Sequence, residues 1–194
     1  MNVPIDISNV TLKTERLVLR PFRYSDLEDF NEYARVEGVG PMAGWQPHEN
    51  IEVSKQILDR FVKHKKTFAL EYEGKVIGSL GIEEYDEGVM PEFEVLKNRE
   101  LGFVLSKAYW GKGLMPEAVN EVKRYLFEDV GLDLIVCKHF IWNTQSEKVQ
   151  KKCGFRRYSS YEHKIESGGT ETSIVNILTR EEWLERKEKE NGVK

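Results

Sequence analysis

Two glycines flank a single lysine at the point where a predicted strand gives way to a predicted helix. The segment reads Gly111-Lys112-Gly113. Glycines in such a turn let backbone N–H groups converge on an anion, and the start of the next helix adds partial positive charge. The pattern favours a phosphate or pyrophosphate site. It is equally compatible with a tight strand-to-helix turn that binds nothing.

Two common phosphate-binding loops do not fit this segment. A Walker loop requires G-x-x-x-x-G-K-[ST], and the chain contains no such run. The dinucleotide fingerprint requires a third glycine where Pro116 stands. Mononucleotide and nicotinamide cofactors are therefore disfavoured.

The elements that must position this turn alternate between strand and helix. Residues 100–105 predict the strand before it, and residues 116–129 predict the helix after it, with Pro116 in the first turn and Gly131 at the C-terminal stop. Further along, the pattern predicts a buried strand at 134–141, a polar helix at 144–152, and a strand pair at 156–163 and 172–178.

The first half of the chain predicts one strand, two helices and a hairpin. A strand is predicted at 17–22, and the capping box Ser25-x-x-Glu28 opens the first helix. A loop at 38–48 leads to a second helix at 50–63. The strands at 67–72 and 75–85 are joined by the turn Glu73-Gly74. At the other end, the capping box Thr179-x-x-Glu182 predicts a short terminal helix. Residues 185–194 are so charged that we expect them to leave the fold. The order predicts an α/β protein with a mixed sheet and helices on its faces.

Composition narrows the function classes. The chain has 194 residues and a formal net charge of -4, so it lacks the basic excess of a nucleic-acid-binding protein. No segment is apolar over the roughly 18 residues that a membrane span needs, and the N-terminus does not resemble a signal peptide, so we expect a cytoplasmic protein. Cys137 and Cys153 are expected to be reduced core residues, and the scattered histidines predict no metal site.

At this point the sequence resembles a known family. Glu100-Leu101-Gly102-Phe103-Val104-Leu105, leading into Tyr109-Trp110-Gly111-Lys112-Gly113 and Glu117-Ala118, resembles motif A of the GNAT acetyltransferase superfamily, in its ribosomal-protein N-acetyltransferase (RimJ/RimL-like) branch. Three further segments agree with that branch: Thr14-Glu15-Arg16-Leu17-Val18-Leu19-Arg20-Pro21, Asn143-x-x-Ser146 with Gly154-Phe155, and Trp183 near the C-terminus. The resemblance runs from about residue 14 to residue 184. It implies a single GNAT domain over 1–194, with a core at about 14–184, a charged tail at 185–194, and a mixed, mostly antiparallel sheet with helices on both faces.

The resemblance also implies a co-substrate and its binding residues. Acetyl-CoA would be held at its pyrophosphate by the backbone of Tyr109, Trp110, Gly111, Lys112, Gly113 and Leu114. Val104 and Leu105 would pair with the pantetheine as an added strand would. Asn143 would bond to the same cofactor arm.

Two positions depart from the superfamily pattern. Ala108 stands where a Gln or Arg is usual, so the pyrophosphate would rest on backbone donors. Gln150 stands where many members carry a tyrosine that is thought to protonate the leaving thiolate. An acid, if one exists, must then lie elsewhere.

The candidate catalytic residues have two interpretations each. Glu100 would accept the amine proton, directly or through water, or it is an ordinary strand-end carboxylate. Ser146 would protonate or hydrogen-bond the thiolate, or it is a helix-start residue bonded to its own backbone. Trp45, in the loop between the first two helices, would line the acceptor pocket or anchor that loop.

The sequence therefore predicts an N-acetyltransferase that moves the acetyl group of acetyl-CoA directly to a primary amine in a ternary complex. A protein N-terminus is the leading acceptor on resemblance alone. The alternatives are a small-molecule or antibiotic acetyltransferase and a non-catalytic acyl-CoA-binding module. Neither a metal, a nucleic acid nor a membrane is expected as a partner, and a homodimer stays open.

Overall fold

The computed structural model describes residues 1–164 and 169–192. The strands are β1 (Leu12–Lys13), β2 (Leu17–Pro21), β3 (Thr67–Tyr72), β4 (Lys75–Glu83), β5 (Asn98–Leu105), β6 (Leu134–Phe140), β7 (Arg156–Lys164) and β8 (Thr170–Thr179). The α-helices are α1 (Leu27–Ala34), α2 (Ile51–His64), α3 (Leu114–Arg124), α4 (Thr144–Lys152) and α5 (Arg180–Gly192). The predicted α/β class, with a mixed and mostly antiparallel sheet, is confirmed.

The chain forms two compact units. The first unit comprises Pro4–Glu83 and Gly102–Val122, and the second comprises Met1–Val3, Glu84–Leu101 and Lys123–Lys194. The division falls inside β5, between Leu101 and Gly102, and inside α3, between Val122 and Lys123.

The first unit is built on antiparallel strands in the order β1-β2-β3-β4, followed by the second half of β5. Helices α1 and α2 close its core, where Phe22, Phe30, Tyr33 and Leu58 are buried. The rings of Phe22 and Phe30 meet edge to face at 5.8 Å. Burial of each such side chain contributes roughly 1.5–3 kcal/mol, so this cluster dominates the stability of the unit.

The hairpin of β3 and β4 turns where the sequence predicts. Glu73 and Gly74 both adopt positive φ, at 50° and 81°, and Tyr72 lies opposite Lys75. A two-residue turn with both central residues at positive φ matches the twist of the flanking strands.

The predicted capping box at Ser25 and Glu28 is wrong. Residues 24–26 form a 3₁₀ turn and α1 begins at Leu27. The buried side chain of Asp26 accepts two bonds from the guanidinium of Arg20, at 2.8 and 2.9 Å, and one from the Arg23 N–H at 2.8 Å. These bonds come from residues three and six positions before Asp26, at the point where α1 begins, and the Ser25-x-x-Glu28 pattern does not include them.

The second unit combines one parallel and two antiparallel strand pairs. β5 pairs with β6 in parallel from Asn98 opposite Leu134 to Leu101 opposite Cys137. β6 then pairs with β8, and β8 with β7, both antiparallel. The core of this unit contains Tyr85, Met90, Leu134, Val136, Val175 and Ile177.

Both cysteines are buried and unbridged, as the sequence predicts. Burial raises the pKa of the Cys153 thiol to about 11 and raises that of Cys137 well above its usual value. Both therefore stay protonated near neutral pH.

Helix α3 starts two residues before the predicted helix and continues into a π-helical turn at Tyr125–Val130. Gly131 ends it with a φ of 76°, the left-handed conformation expected of a C-terminal stop.

Helix α5 opens on the predicted capping box. The Glu182 N–H donates to the Thr179 hydroxyl at 3.2 Å, and the Thr179 N–H donates to the Glu182 carboxylate at 3.0 Å. Residues 185–194 were expected to leave the fold. For residues 185–192 that expectation is wrong, because helix α5 continues to Gly192. Trp183 packs on Phe127 at 5.3 Å between ring centroids. Val193 and Lys194, which also fall in the predicted tail, lie outside the described residues.

Candidate active site

The glycine turn joins the end of β5 to the start of α3, as predicted. A 3₁₀ turn, Lys107–Tyr109, precedes it, and α3 begins directly after it at Leu114. Gly111 and Gly113 adopt φ angles of 76° and 77°. Such angles are costly for residues with a Cβ, so both positions favour glycine. Among the described residues beyond its chain neighbours, no heavy atom lies within 4 Å of the place where a Cβ of Gly111 would stand.

Aromatic side chains hold the turn from the strand side. The indole N–H of Trp110 donates to the Leu105 carbonyl at 2.8 Å, and the Tyr109 ring meets the Tyr72 ring edge to face at 5.7 Å. The ammonium of Lys112 lies 4.9 Å from the centre of the Tyr109 ring. The turn is therefore fixed by side chains of its own segment and of β3.

The carbonyl oxygen of Val104 lies close to Gly78 of β4. A Cβ on Gly78 would collide with it, and the next alternate residue, Ser106, donates its N–H to the Ile77 carbonyl at 2.7 Å. Backbone polar groups of a strand alternate in direction from residue to residue. The backbone N–H and C=O groups of Leu105 therefore point away from β4. Those of Phe103, a residue that the sequence pattern did not single out, point the same way.

The first turn of α3 contains a carboxylate with several donors. Glu117 accepts the Thr14 hydroxyl, the Arg16 N–H at 2.9 Å and the Arg16 guanidinium at 2.7 Å. Burial alone raises the pKa of Glu117, but these hydrogen bonds and the Arg16 charge outweigh it and hold that pKa below its usual value. The sequence pattern marked Thr14 and Arg16 only as part of an opening strand, and their separation of about one hundred residues from Glu117 hid the contact.

Trp45 lies in the α1–α2 connection, as expected, and is partly buried. Its backbone N–H donates to the Gly40 carbonyl at 3.1 Å, and the centre of its ring lies 5.0 Å from that of the His48 ring. Trp45 packs against the same hydrophobic cluster as Val104 and Trp110. Both interpretations of Trp45 therefore remain, because the ring anchors its loop and also lies near the strand that leads to the turn.

His48 links this connection to helices α1 and α2. Its Nδ1 is 2.8 Å from the Ser54 hydroxyl, which donates to the Asn31 side-chain oxygen at 3.0 Å. Burial lowers the pKa of His48, so the ring is neutral at physiological pH.

The candidate catalytic residues lie in the second unit. The Glu100 carboxylate forms an ion pair with Lys138 at 2.8 Å, and both side chains are less than one fifth exposed. Burial alone lowers the pKa of Lys138, but Glu100 and Tyr161 raise it above its usual value. Glu100 is therefore not a bland surface group.

Asn143, not Ser146, caps helix α4. The Asn143 side-chain oxygen accepts the Ser146 N–H at 3.0 Å, which is the bond expected of a residue at the N-terminal cap. Asn143 is buried, and this bond gives it a structural role beside the proposed contact with the cofactor arm. Ser146 lies in the first turn of α4, as expected of a helix-start residue, while the N-terminal cap is Asn143.

Gln150 hydrogen-bonds to Ser146 and to the backbone of Lys138, the residue whose side chain pairs with Glu100. The amide of the buried Gln150 donates to the Ser146 hydroxyl at 3.0 Å and to the Lys138 carbonyl at 3.1 Å. Its oxygen accepts from the Asn176 amide at 2.6 Å. The sequence identified Gln150 only as a missing tyrosine, yet it is the centre of this network.

The described residues, 1–164 and 169–192, contain no cluster of three His, Cys, Asp or Glu side chains placed to hold a metal ion. In the same part of the chain, every helix is too short or too polar to cross a membrane.

Comparison with known proteins places the chain in a family. Residues 16–156 match the model of the acetyltransferase (GNAT) domain. The chain is 33% identical over 88 residues to the FsC-acetyl coenzyme A-N(2)-transacetylase of Aspergillus fumigatus, a match that covers 44% of this chain and 37% of that protein. The chain thus spans well under half the length of that relative.

Solved structures show the same fold. A GNAT-family acetyltransferase from Bacillus anthracis superposes with a TM-score of 0.76 at 23% identity, over 89% of this chain and 99% of that one. The ribosomal-protein-S5-alanine acetyltransferase of Vibrio fischeri superposes with a TM-score of 0.69 at 25% identity, over 90% of this chain and 99% of that one. The match to the domain model covers well over half of the sequence, and the chain belongs to the GNAT acetyltransferase family.

Proposed function

We propose that this protein is an acetyl-CoA-dependent N-acetyltransferase that transfers the acetyl group directly to a primary amine. The observation that carries the proposal is the turn at residues 111–113, in which two glycines at positive φ lead straight into the N-terminus of α3. Backbone N–H groups there have no carbonyl partner within the helix, and the helix dipole adds positive potential. An open approach at Gly111 leaves room for a pyrophosphate.

The residues proposed to bind the co-substrate are continuous in the chain. We assign the pyrophosphate to the backbone of Tyr109, Trp110, Gly111, Lys112, Gly113 and Leu114. We assign the pantetheine to the edge of β5 at Leu105, with Phe103 as an added candidate and Val104 contributing only its side chain. Asn143 remains a proposed contact to the cofactor arm.

Acetyl transfer from a thioester requires a neutral amine and a stabilised leaving thiolate. Bound acetyl-CoA supplies the activated acyl group. Glu100, whose carboxylate pairs with Lys138, would accept the proton that the amine loses, directly or through a bridging water. Ser146, whose hydroxyl accepts a bond from Gln150, would donate a hydrogen bond to the departing thiolate.

The acceptor proposed first is a protein N-terminus. Support comes from the similarity to the ribosomal-protein-S5-alanine acetyltransferase of Vibrio fischeri. A small-molecule amine is the second candidate, because the Aspergillus relative is named for N(2)-acetylation of FsC.

One assay separates these functions. The protein and acetyl-CoA are incubated in four parallel reactions, each with one candidate acceptor. The acceptors are a hexapeptide that has a free N-terminal alanine, the same peptide N-acetylated, spermidine, and an aminoglycoside. Thiol release is followed in each. We expect release with the free peptide and none with the blocked one.

Each other outcome selects a different function. Release with spermidine or the aminoglycoside alone would favour the small-molecule acceptor. Saturable acetyl-CoA binding without release on any amine would favour the non-catalytic binding module. A failure to bind acetyl-CoA would overturn the proposal itself.

A further inference from the structure

The guanidinium of Arg16 joins the glycine turn to the first turn of α3. Its Nη1 donates to the Lys112 carbonyl at 2.9 Å, while its Nε and Nη2 each lie 2.7 Å from one oxygen of Glu117. The backbone N–H of Arg16 and the hydroxyl of Thr14 donate to the other carboxylate oxygen. All these residues belong to the first unit.

The bond to the Lys112 carbonyl fixes the direction of one peptide group. In a planar trans peptide the C=O and the following N–H point in opposite directions. Because the Lys112 oxygen is directed at Arg16, the Gly113 N–H points away from Arg16. Gly113 in turn accepts the Glu117 N–H through its own carbonyl, at 3.2 Å. The turn therefore holds one orientation before any ligand arrives.

The ion pair of Arg16 with Glu117 balances the negative charge of the Glu117 carboxylate. An acidic residue in the first turn of a helix interacts favourably with the helix dipole, but it repels an anion that approaches the same terminus. Glu117 is ionised at neutral pH, because its pKa lies below its usual value. Arg16 supplies the opposite charge at contact distance, so an incoming phosphate does not meet an unbalanced carboxylate.

We propose that Arg16 is a positioning residue for anion binding at the turn. It aims the Gly113 N–H and neutralises Glu117 without contacting the transferred group. The identity of the anion as the CoA pyrophosphate rests on the proposed function above. The competing explanation is that Arg16 only tethers the β1–β2 connection to α3.

The test compares four variants by calorimetric titration with CoA and by steady-state kinetics. Arg16→Ala removes both the bond to the Lys112 carbonyl and the charge that neutralises Glu117. Arg16→Lys keeps the charge but cannot bond to the Lys112 carbonyl and to Glu117 in the same way. Arg16→Ala with Glu117→Gln removes the arginine together with the carboxylate charge that it would leave unbalanced. Lys75→Ala is the matched control. Its side chain is 38% exposed against 39% for Arg16, and it pairs with Glu32 at 2.7 Å in the same unit.

Arg16→Ala is expected to raise the Kd for CoA, and the KM for acetyl-CoA, by about 10- to 100-fold, with the acceptor KM and the melting temperature nearly unchanged. Arg16→Lys should fall between wild type and Arg16→Ala. The double variant should bind CoA at least threefold more tightly than Arg16→Ala, and Lys75→Ala should match wild type. A change below twofold in Arg16→Ala would overturn the proposal, and so would a double variant no better than the single one.

A second readout separates this proposal from the proposed function. Inorganic pyrophosphate is titrated into ¹⁵N-labelled protein and the Gly113 amide resonance is followed. If wild type does not bind CoA but its Gly113 amide shifts with pyrophosphate, and the shift is lost in Arg16→Ala, the positioning role stands while the acetyltransferase assignment falls. No shift at Gly113 with either ligand would overturn both.

Discussion

At the scale of single residues, the two groups proposed for catalysis are linked through Gln150 and Lys138. Ser146 is bound by Gln150, Gln150 by Asn176 and by the Lys138 carbonyl, and Lys138 pairs with Glu100. Fully bonded polar networks hold their side chains in one arrangement. A single substitution in the chain therefore tests more than the group that it removes.

Ser146→Ala is expected to lower turnover by roughly 10- to 10³-fold with little change in melting temperature, if the hydroxyl meets the departing thiolate. Asn143→Ala serves as the control for helix capping and should cost about 1 kcal/mol of stability, because the cap bond is lost. Turnover and thermal denaturation can be measured on the same preparations. A fully active Ser146→Ala protein would rule out the catalytic role and leave water as the proton donor.

Glu100→Gln is expected to lower turnover by about 10² or more while leaving CoA affinity intact. The substitution keeps the shape of the side chain but leaves Lys138 without its anionic partner. Glu100→Gln combined with Lys138→Met removes that unbalanced charge. If the double variant regains near-normal turnover, Glu100 matters only as the partner of Lys138, and its role as base is wrong.

At the scale of elements, the glycine turn can be tested against a second glycine of the same conformation. Gly113→Val should abolish CoA binding while the fold survives, because a branched side chain opposes the positive φ of the turn and crowds the Arg16 guanidinium, which lies 3.6 Å from the place of a Cβ on Gly113. Gly131→Val is the control, since its φ of 76° matches the 77° of Gly113, and each substitution should cost about 1–2 kcal/mol of backbone strain. Calorimetry with CoA on both variants decides the matter. Equal loss of affinity in the two would show strain and not phosphate contact.

Elements whose signals are local could be predicted from the sequence, and those set by contacts outside a recognised motif could not. The Glu73-Gly74 hairpin and the Thr179–Glu182 cap are correct because each depends on residues within four positions of one another. The start of α1 was misplaced because the Ser25–Glu28 pattern does not include Asp26, whose carboxylate binds Arg20 and the Arg23 N–H.

The candidate site shows the same division. Its turn, Gly111 to Gly113, could be located because glycine at a strand-to-helix junction is a local signal. The direction of the Val104 carbonyl could not, because it depends on which neighbour β5 pairs with on that side. The contact of Arg16 with Glu117 could not either, since nothing in a single sequence joins positions 101 residues apart.

At the scale of the whole molecule, neither compact unit is a continuous segment. The chain passes between them after Val3, Glu83, Leu101 and Val122, and the last two crossings fall within β5 and α3. Independent domains are normally bounded by exposed linkers, and a regular strand or helix is not one. Neither unit can therefore be excised as a single stretch of chain.

We accordingly expect one unfolding transition, in keeping with the prediction of a single domain. Its calorimetric and van't Hoff enthalpies should agree. Saturation with CoA at 100 times its Kd should add about 2.7 kcal/mol, or roughly 5–10 °C in Tm for a chain of this length. Two resolved transitions in differential scanning calorimetry, only one of them moved by CoA, would contradict the single-domain prediction.

The hydrogen bond from Trp110 to the Leu105 carbonyl gives the protein an optical reporter of its own. Trp110 is one of four tryptophans, and its indole closes the proposed cofactor turn against the end of β5. Any ligand that enters the turn alters the polarity around that ring, and indole fluorescence responds to such changes in wavelength and intensity. Titration of the unlabelled protein should then show a saturable emission change that is absent from Trp110→Phe. The turn could thus be screened for ligands without any knowledge of the amine that the protein acetylates.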